Sequence, residues 1–224
     1  MINFLASAQT GQAPSAYTSI IEMIASGELH PGEHLPALEL SQRFGMSRTP
    51  VIAALKQLEN DGIVVFRSGN GAWLANPTAG EVRDLYALRG ELETFALKLS
   101  APSIKTTDII ELRKYVALEQ EYIKQGDKLN TFRSGLDFHR ALFSLCSNKF
   151  LVDCLNRNIT AIFAFLVLLD RHLGDRELTH PSDHEKLIEY LSDKQYEKAV
   201  RFLGRHIEKA YMIDMLAKSG PDKE

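Results

Sequence analysis

The chain has 224 residues and a formal net charge of −3, with 45% hydrophobic and 25% charged side chains. These values sit near the globular average and exclude disordered and fibrous classes. The length allows one large domain or two unequal ones, with a core that needs no disulfide or structural metal. The two cysteines, Cys146 and Cys154, stand eight apart in an apolar helical stretch and read as free thiols in a reducing compartment. The longest apolar run, Ala161 to Leu169, has nine residues, short of the roughly 18 expected of a membrane span. Met1 to Ala6 is too short for a signal h-region and has no basic flank. The expectation is a soluble, cytoplasmic protein with no membrane partner.

Residues 1–13 show no period and read as a disordered arm. From Ser15 to Leu29, the apolar residues Ile20, Ile21, Ile24 and Ala25 recur at helical spacing, before the Pro31-Gly32 turn. A short helix is expected from Leu38 to Phe44, stopped by Gly45, a residue suited to a left-handed C-cap. Ser47 then caps a third helix that runs to Asn60, with Pro50 tolerated in its first turn. Ile63–Phe66 and Ala72–Leu74 flank Arg67-Ser68-Gly69-Asn70-Gly71 as two short strands around a glycine-rich tip. After Pro77 the pattern is helical throughout, with helices expected near 80–101, 106–126, 128–146, 148–171, 183–193 and 195–217. The fold class is therefore mainly α. A winged helix-turn-helix over residues 14–77 precedes an antiparallel helical bundle over residues 78–217.

Two helices joined by a tight turn and followed by a hairpin form a winged helix-turn-helix. On the third helix Val51, Leu55 and Leu58 form one apolar stripe, facing the core. Arg48, Ile52 and Lys56 fall on another face, which can enter a major groove. Ser47, Thr49 and the free N–H groups of the first turn suit phosphates. Arg67, ahead of Gly69 and Gly71, places a cation on the wing. The charge is unhelpful: residues 1–77 carry four basic and six acidic side chains, a net −2. A nucleic-acid reading rests on local placement rather than on the global field.

The run Leu35-Pro36, Leu40-Ser41, Phe44-Gly45-Met46-Ser47-Arg48-Thr49-Pro50-Val51, Ala54-Leu55, Leu58 and Asp61-Gly62-Ile63-Val64 resembles the DNA-binding domain of GntR-family bacterial transcription regulators. The resemblance implies a DNA role for Arg48, Thr49 and the wing with Gly71. The family's Arg-Glu-Ala-Leu continuation is Ile52-Ala53-Ala54-Leu55 here, and Leu38 stands where many members have an arginine. Leu85–Glu93 and Phe138-His139-Arg140-Ala141-Leu142 resemble the effector-binding domain of the FadR-like branch, the FCD domain. That branch implies a helical bundle that binds small carboxylates, often beside a divalent metal held by an Asp and three His.

His139, His184 and His206 match the three histidines of that pattern, and three imidazoles from three helices suit zinc or nickel. The aspartate expected one turn before the first histidine is replaced by Gly135. Asp137, two residues from His139, points to the far side of its helix. Arg89, one turn before Glu93, is either a clamp for an effector carboxylate or the partner of that glutamate. His30, His34, His172 and His180 read as surface or turn residues, and Phe163, Phe165, Leu166 and Leu169 as core. The expected function is a homodimeric, ligand-responsive repressor that binds operator DNA and senses a small carboxylate. Two other readings stay open: a metal-dependent enzyme using the three histidines, and an interaction protein that no longer binds DNA.

Overall fold

A computed structural model describes residues 15–169 and 181–216. The expected arm over residues 1–13, and His172 and His180, lie outside the described residues, as does the side chain of Leu169. The chain divides into two compact units between Ala75 and Asn76.

The first unit opens with α1 (Ala16–Ala25), whose N-terminus is capped by the Ser15 hydroxyl accepting from the Thr18 N–H at 3.2 Å. Its last residue, Ala25, is also the last of the apolar period, and Gly27 turns left-handed just beyond at φ 76°. Strand β1 (His34–Leu35) follows; at two residues it is too short to leave an alternation in the sequence. Helix α2 (Ala37–Arg43) ends where Gly45 turns left-handed at φ 64°, with Gly45 N–H donating to Gln42 O and Met46 N–H to Ser41 O. That compact stop sets up the next helix, α3 (Arg48–Asn60). Strands β2 (Val64–Arg67) and β3 (Gly71–Leu74) form the hairpin, and β1 joins it to give a three-stranded antiparallel sheet in the order β1-β3-β2. Ile20, Leu35, Val51, Leu55, Leu58, Ile63 and Leu74 are fully buried at its centre. Tyr17 adds a tie from α1 to the end of α3 by donating to Asp61 Oδ2 at 2.9 Å.

The second unit is helical. Helix α4 (Ala79–Ser100) starts at a reciprocal capping box: Thr78 Oγ1 accepts from the Glu81 N–H, and Glu81 accepts from the Thr78 N–H. A 3-10 turn (Ala101–Ser103) holding Pro102 separates it from α5 (Thr106–Gln125). Gly126, left-handed at φ 69°, leads into α6 (Lys128–Ser144), followed by α7 (Lys149–Leu169), α8 (Pro181–Ser192) and α9 (Tyr196–Leu216). Helix α4 packs on α9 and α7, α5 on α6 and α8, α6 on α7, and α8 on α9. Over Lys149–Leu168, α7 is long and apolar enough to cross a membrane by length and composition, which the count of consecutive apolar residues missed. Its apolar face is spent inside the bundle: Leu155, Ile159, Ile162 and Ala164 are almost fully buried. Phe163 and Leu166 are buried as the sequence suggests, and Phe165 is half-buried.

Because Leu58 is completely buried in the first unit, Leu58→Ala is expected to cost about 2–5 kcal/mol there. Trp73, the chain's single tryptophan, lies in β3. Denaturant unfolding followed by its fluorescence should show a lowered midpoint for that unit, and an unchanged midpoint would refute this account of its core.

Candidate functional site

On the first unit, α3 divides its faces as its sequence suggests. Val51, Ala54, Leu55 and Leu58 are buried, while Arg48, Thr49, Ile52, Ala53 and Lys56 are exposed. Ser47 occupies the N-cap position in extended conformation, yet its side chain makes no capping bond. The expectation that its hydroxyl caps the helix is thus corrected, and the hydroxyl stays available at the helix N-terminus, where anions are favoured. Lys56 is exposed but engaged: its Nζ lies 3.0 Å from Glu59 and 3.8 Å from the centroid of Phe66. At the wing, Arg67 lies over Trp73 at 4.2 Å, and the His34 ring packs on the same indole at 4.7 Å. The Trp73 Nε1–H donates to Asn70 O at 2.8 Å. The wing cation therefore rests on a fixed aromatic platform. Gly71 is left-handed at φ 72°, and an added Cβ there would meet His34 Nε2 at 3.1 Å, so a side chain would be strained twice. His30 and His34 are exposed, as surface residues should be.

In the second unit α6, α8 and α9 bring His139, His184 and His206 together, with their ligand atoms all within 4.8 Å of one another. His139 Nε2 lies 3.3 Å from His184 Nε2 and 3.3 Å from His206 Nε2. Each ring turns its other nitrogen to a carboxylate. His139 Nδ1 meets Glu93 Oε2 at 2.7 Å, His184 Nδ1 meets Glu119 Oε2 at 2.8 Å, and His206 Nδ1 meets Asp183 Oδ2 at 3.4 Å. Phe138 stacks on the His184 ring at 4.2 Å and fixes its plane.

The protonation states follow from burial and charge. Burial pushes the His139 ring well below its ordinary value, against the pull of Glu93. Burial also lowers His206 to about 4. Burial alone would raise Glu93, but the His139 ring and the Arg89 guanidinium more than offset it and hold the carboxyl at about 2. Asp183 is held below the usual carboxylate range by its hydrogen bond to His206. Held neutral by burial, the His139 and His206 rings can each donate from Nδ1 to the facing carboxylate and leave an Nε2 lone pair turned into the cluster. That arrangement fits a bound cation. A tetrahedral ion with nitrogens at about 2.0–2.1 Å has nitrogen–nitrogen edges of about 3.3–3.4 Å; the two edges from His139 Nε2 are 3.3 Å, and the third lies within 4.8 Å. The carboxylate behind each imidazole is the usual outer support of a metal-binding histidine. Glu119 Oε1, fully buried, has no hydrogen-bond partner among the described residues.

Arg89 is buried beside this cluster, and its Nε donates to Glu93 Oε1 at 2.6 Å. Of the two expectations, the pairing with glutamate is present. Among the described residues its η nitrogens make no hydrogen bond, and the Arg89 charge is felt at both His139 and His206. Asp137 turns away to Arg140 at 2.8 Å, and Gly135 supplies no ligand. Sequence reasoning missed Glu119 and Asp183, and treated Glu93 only as a partner of Arg89. A usable signal existed for Glu119, which falls in step with the buried Leu112 and Val116 on one stripe of α5.

The comparisons with known proteins agree with both units. Residues 12–74 match the gntR family of bacterial regulatory proteins, and residues 84–209 match the FCD domain. The chain belongs to the GntR family of transcription regulators and carries an FCD domain. It is 28% identical over 189 residues to the Nta operon transcriptional regulator of Aminobacter aminovorans, covering 84% of this chain and 88% of that one. It is 25% identical over 211 residues to the HTH-type transcriptional repressor NanR of Klebsiella aerogenes, covering 84% and 79%. The solved E. coli protein McbR/YncC superposes with a TM-score of 0.71 at 20% identity, covering 91% of this chain and 97% of that one, which shows a shared fold. The family is one of regulators, so the metal-dependent enzyme considered from the three histidines is set aside.

For the metal-free protein the sign of the pH dependence is fixed by His206. Its folded value of about 4 lies below the ordinary His value of 6.5, so the unfolded chain binds the extra proton first as pH falls. Stability is full above pH 6.5, declines between 6.5 and 4, and levels off for this group below that. Thermal melts in a chelator should show this decline, and His206→Gln should make it shallower. A slope identical in the variant would refute the assignment.

Proposed function

We propose that this GntR-family regulator is a homodimeric repressor that binds operator DNA through α3 and the wing and senses a small carboxylate at the three-histidine centre. The observation that carries the sensing half is the clustering of the three imidazoles, with ligand atoms within 4.8 Å of one another and each ring backed by a carboxylate. His139, His184 and His206 would hold a divalent ion, with zinc or nickel suited to imidazole donors. Such an ion supplies a positive centre for an anionic oxygen, and the η nitrogens of Arg89 offer a second grip on a carboxylate. Coupling of about 1–3 kcal/mol between this site and DNA is enough for a roughly 5–150-fold change in operator affinity.

The DNA half rests on exposed Ser47, Arg48, Thr49, Ile52 and Lys56 on α3, with Arg67 and Gly71 on the wing. Arg48 is the candidate base reader and Ser47 and Thr49 the phosphate contacts. Repression takes its support from the NanR relative, which is named a repressor. Homodimerisation takes its support from α4, where Leu88, Phe95 and Leu99 are each about half exposed and fall on one stripe with the half-buried Leu92. A second copy presenting the same stripe would cover it, and two winged units would then read two half-sites. A regulator that reaches chromosomal DNA works in the bacterial cytoplasm.

Two measurements test this reading. Arg48→Ala should weaken binding to the protein's best genomic fragment by about 1–3 kcal/mol in a gel shift at fixed salt; equal binding would remove Arg48 from the groove, and no salt-dependent binding by the wild type would favour the interaction-protein reading. Elemental analysis of protein purified without chelator should find close to one divalent ion per chain, and His139→Ala should release it. No metal, with thermal stability unmoved by added zinc or nickel, would make the trio structural. Gly135→Asp should tighten metal retention against a chelator.

A further inference from the structure

The reading face of α3 presents Arg48, Ile52 and Lys56. Lys56, which by position could reach a base edge, is held by Glu59 at 3.0 Å and lies over Phe66 at 3.8 Å. One turn before it stands Ile52, 41% exposed, on a helix whose other large aliphatic residues, Val51, Leu55 and Leu58, are buried at 1% or less. Next to Ile52 is Ala53, also exposed. An aliphatic side chain so placed gains nothing from water and cannot hydrogen-bond to a base. The apolar group that a T·A pair presents in the major groove is the thymine C5-methyl.

We infer that Ile52 is a specificity-determining residue that reads a thymine methyl in each half-site, leaving Arg48 as the hydrogen-bonding reader of the same face. This rests on the DNA-binding half of the proposed function. Arg48 and Ile52 are four residues apart on one helix face, about 6 Å along the axis by helical rise. The methyl-bearing pair therefore lies within about two base-pair steps of the base that Arg48 contacts, at 3.4 Å per step. Leu38, 53% exposed in the first turn of α2, is the other large aliphatic side chain exposed on the helix-turn-helix. Its substitution serves as a control for general apolar adhesion.

The test removes the methyl without touching base pairing. A random duplex library is selected on the full-length protein, and the winning site is resynthesised with deoxyuridine in place of one thymine at a time. Wild type should lose about fourfold in affinity at one position per half-site, the effect of a single buried CH2-sized group. Replacing the symmetric pair together should cost about sixteen-fold. Ile52→Ala should bind the thymine site less tightly and no longer distinguish thymine from uracil at that position, while Leu38→Ala should keep the distinction. Both replaced side chains are exposed, and far-UV circular dichroism confirms folding. If the wild type selects a site but binds its uracil versions equally at every position, or if Ile52→Ala still discriminates, the inference is overturned and the DNA-binding reading stands. If no sequence is selected, both fall together.

Discussion

Three carboxylates, Glu93, Glu119 and Asp183, each face the Nδ1 of one histidine, and this fixes everything the second unit can do at its centre. Without them the rings would be free to choose their tautomer, and adjacent Nε2 atoms at 3.3 Å could simply share a proton. With them, the three lone pairs have nowhere else to point. The constraint spans most of the bundle, because Glu93 comes from α4, Glu119 from α5, His139 from α6, Asp183 and His184 from α8, and His206 from α9. A packed helical unit tolerates five buried polar and charged groups, with the part-exposed Asp183 beside them, only when nearly all are paired. Within this cluster Glu119 Oε1 is left without a hydrogen-bond partner among the described residues.

The first unit solves a different problem. Its net charge of −2 works against a polyanionic partner, so attraction must come from a few cations held in place rather than from a broad basic field. Arg67 is flattened on Trp73, which itself is pinned by Asn70 and His34. Holding a cation in advance reduces the side-chain entropy lost on binding. Several acidic groups are also occupied internally: Glu28 pairs with Arg43, Glu59 with Lys56, and Asp61 accepts from Tyr17. Arg48, by contrast, projects from the first turn of α3, where the helix N-terminus adds its own positive end.

Much of this could be read in the sequence because the strongest signals are local. Gly45, Ser47 and the stripe of Val51, Leu55 and Leu58 mark the helix-turn-helix through backbone freedom and period. The long helices of the second unit announce themselves in the same way. The three histidines were identified through resemblance, since separations of 45 and 22 residues carry no geometric information. What stayed hidden depends on tertiary contact. Strand β1 exists because His34 and Leu35 pair with Trp73 and Ala72, not because two residues have a pattern. The carboxylates behind the imidazoles come from distant segments: Glu93 lies 46 residues from His139, and Glu119 lies 65 from His184. Lys56 looked like a free reader until Glu59 and Phe66 were seen beside it.

Gly135 gives the centre its particular chemistry. A carboxylate in the coordination sphere would cancel one unit of a divalent ion's charge; three neutral imidazoles cancel none. An ion held by His139, His184 and His206 alone would be bound less tightly and would present a stronger field to any incoming anion. The buried Arg89 would add to that field, reduced by its pairing with Glu93 at 2.6 Å. For a bound ion the same deficit would have two opposite consequences, a looser metal and a more anion-hungry site. Affinity for a carboxylate and retention of the metal would then be linked. An anion that ligates the ion restores the missing negative donor, and by reciprocity it must hold the ion in place as strongly as the ion holds it. In a regulator of this construction the metal and the small molecule would arrive as one signal rather than as cofactor and ligand.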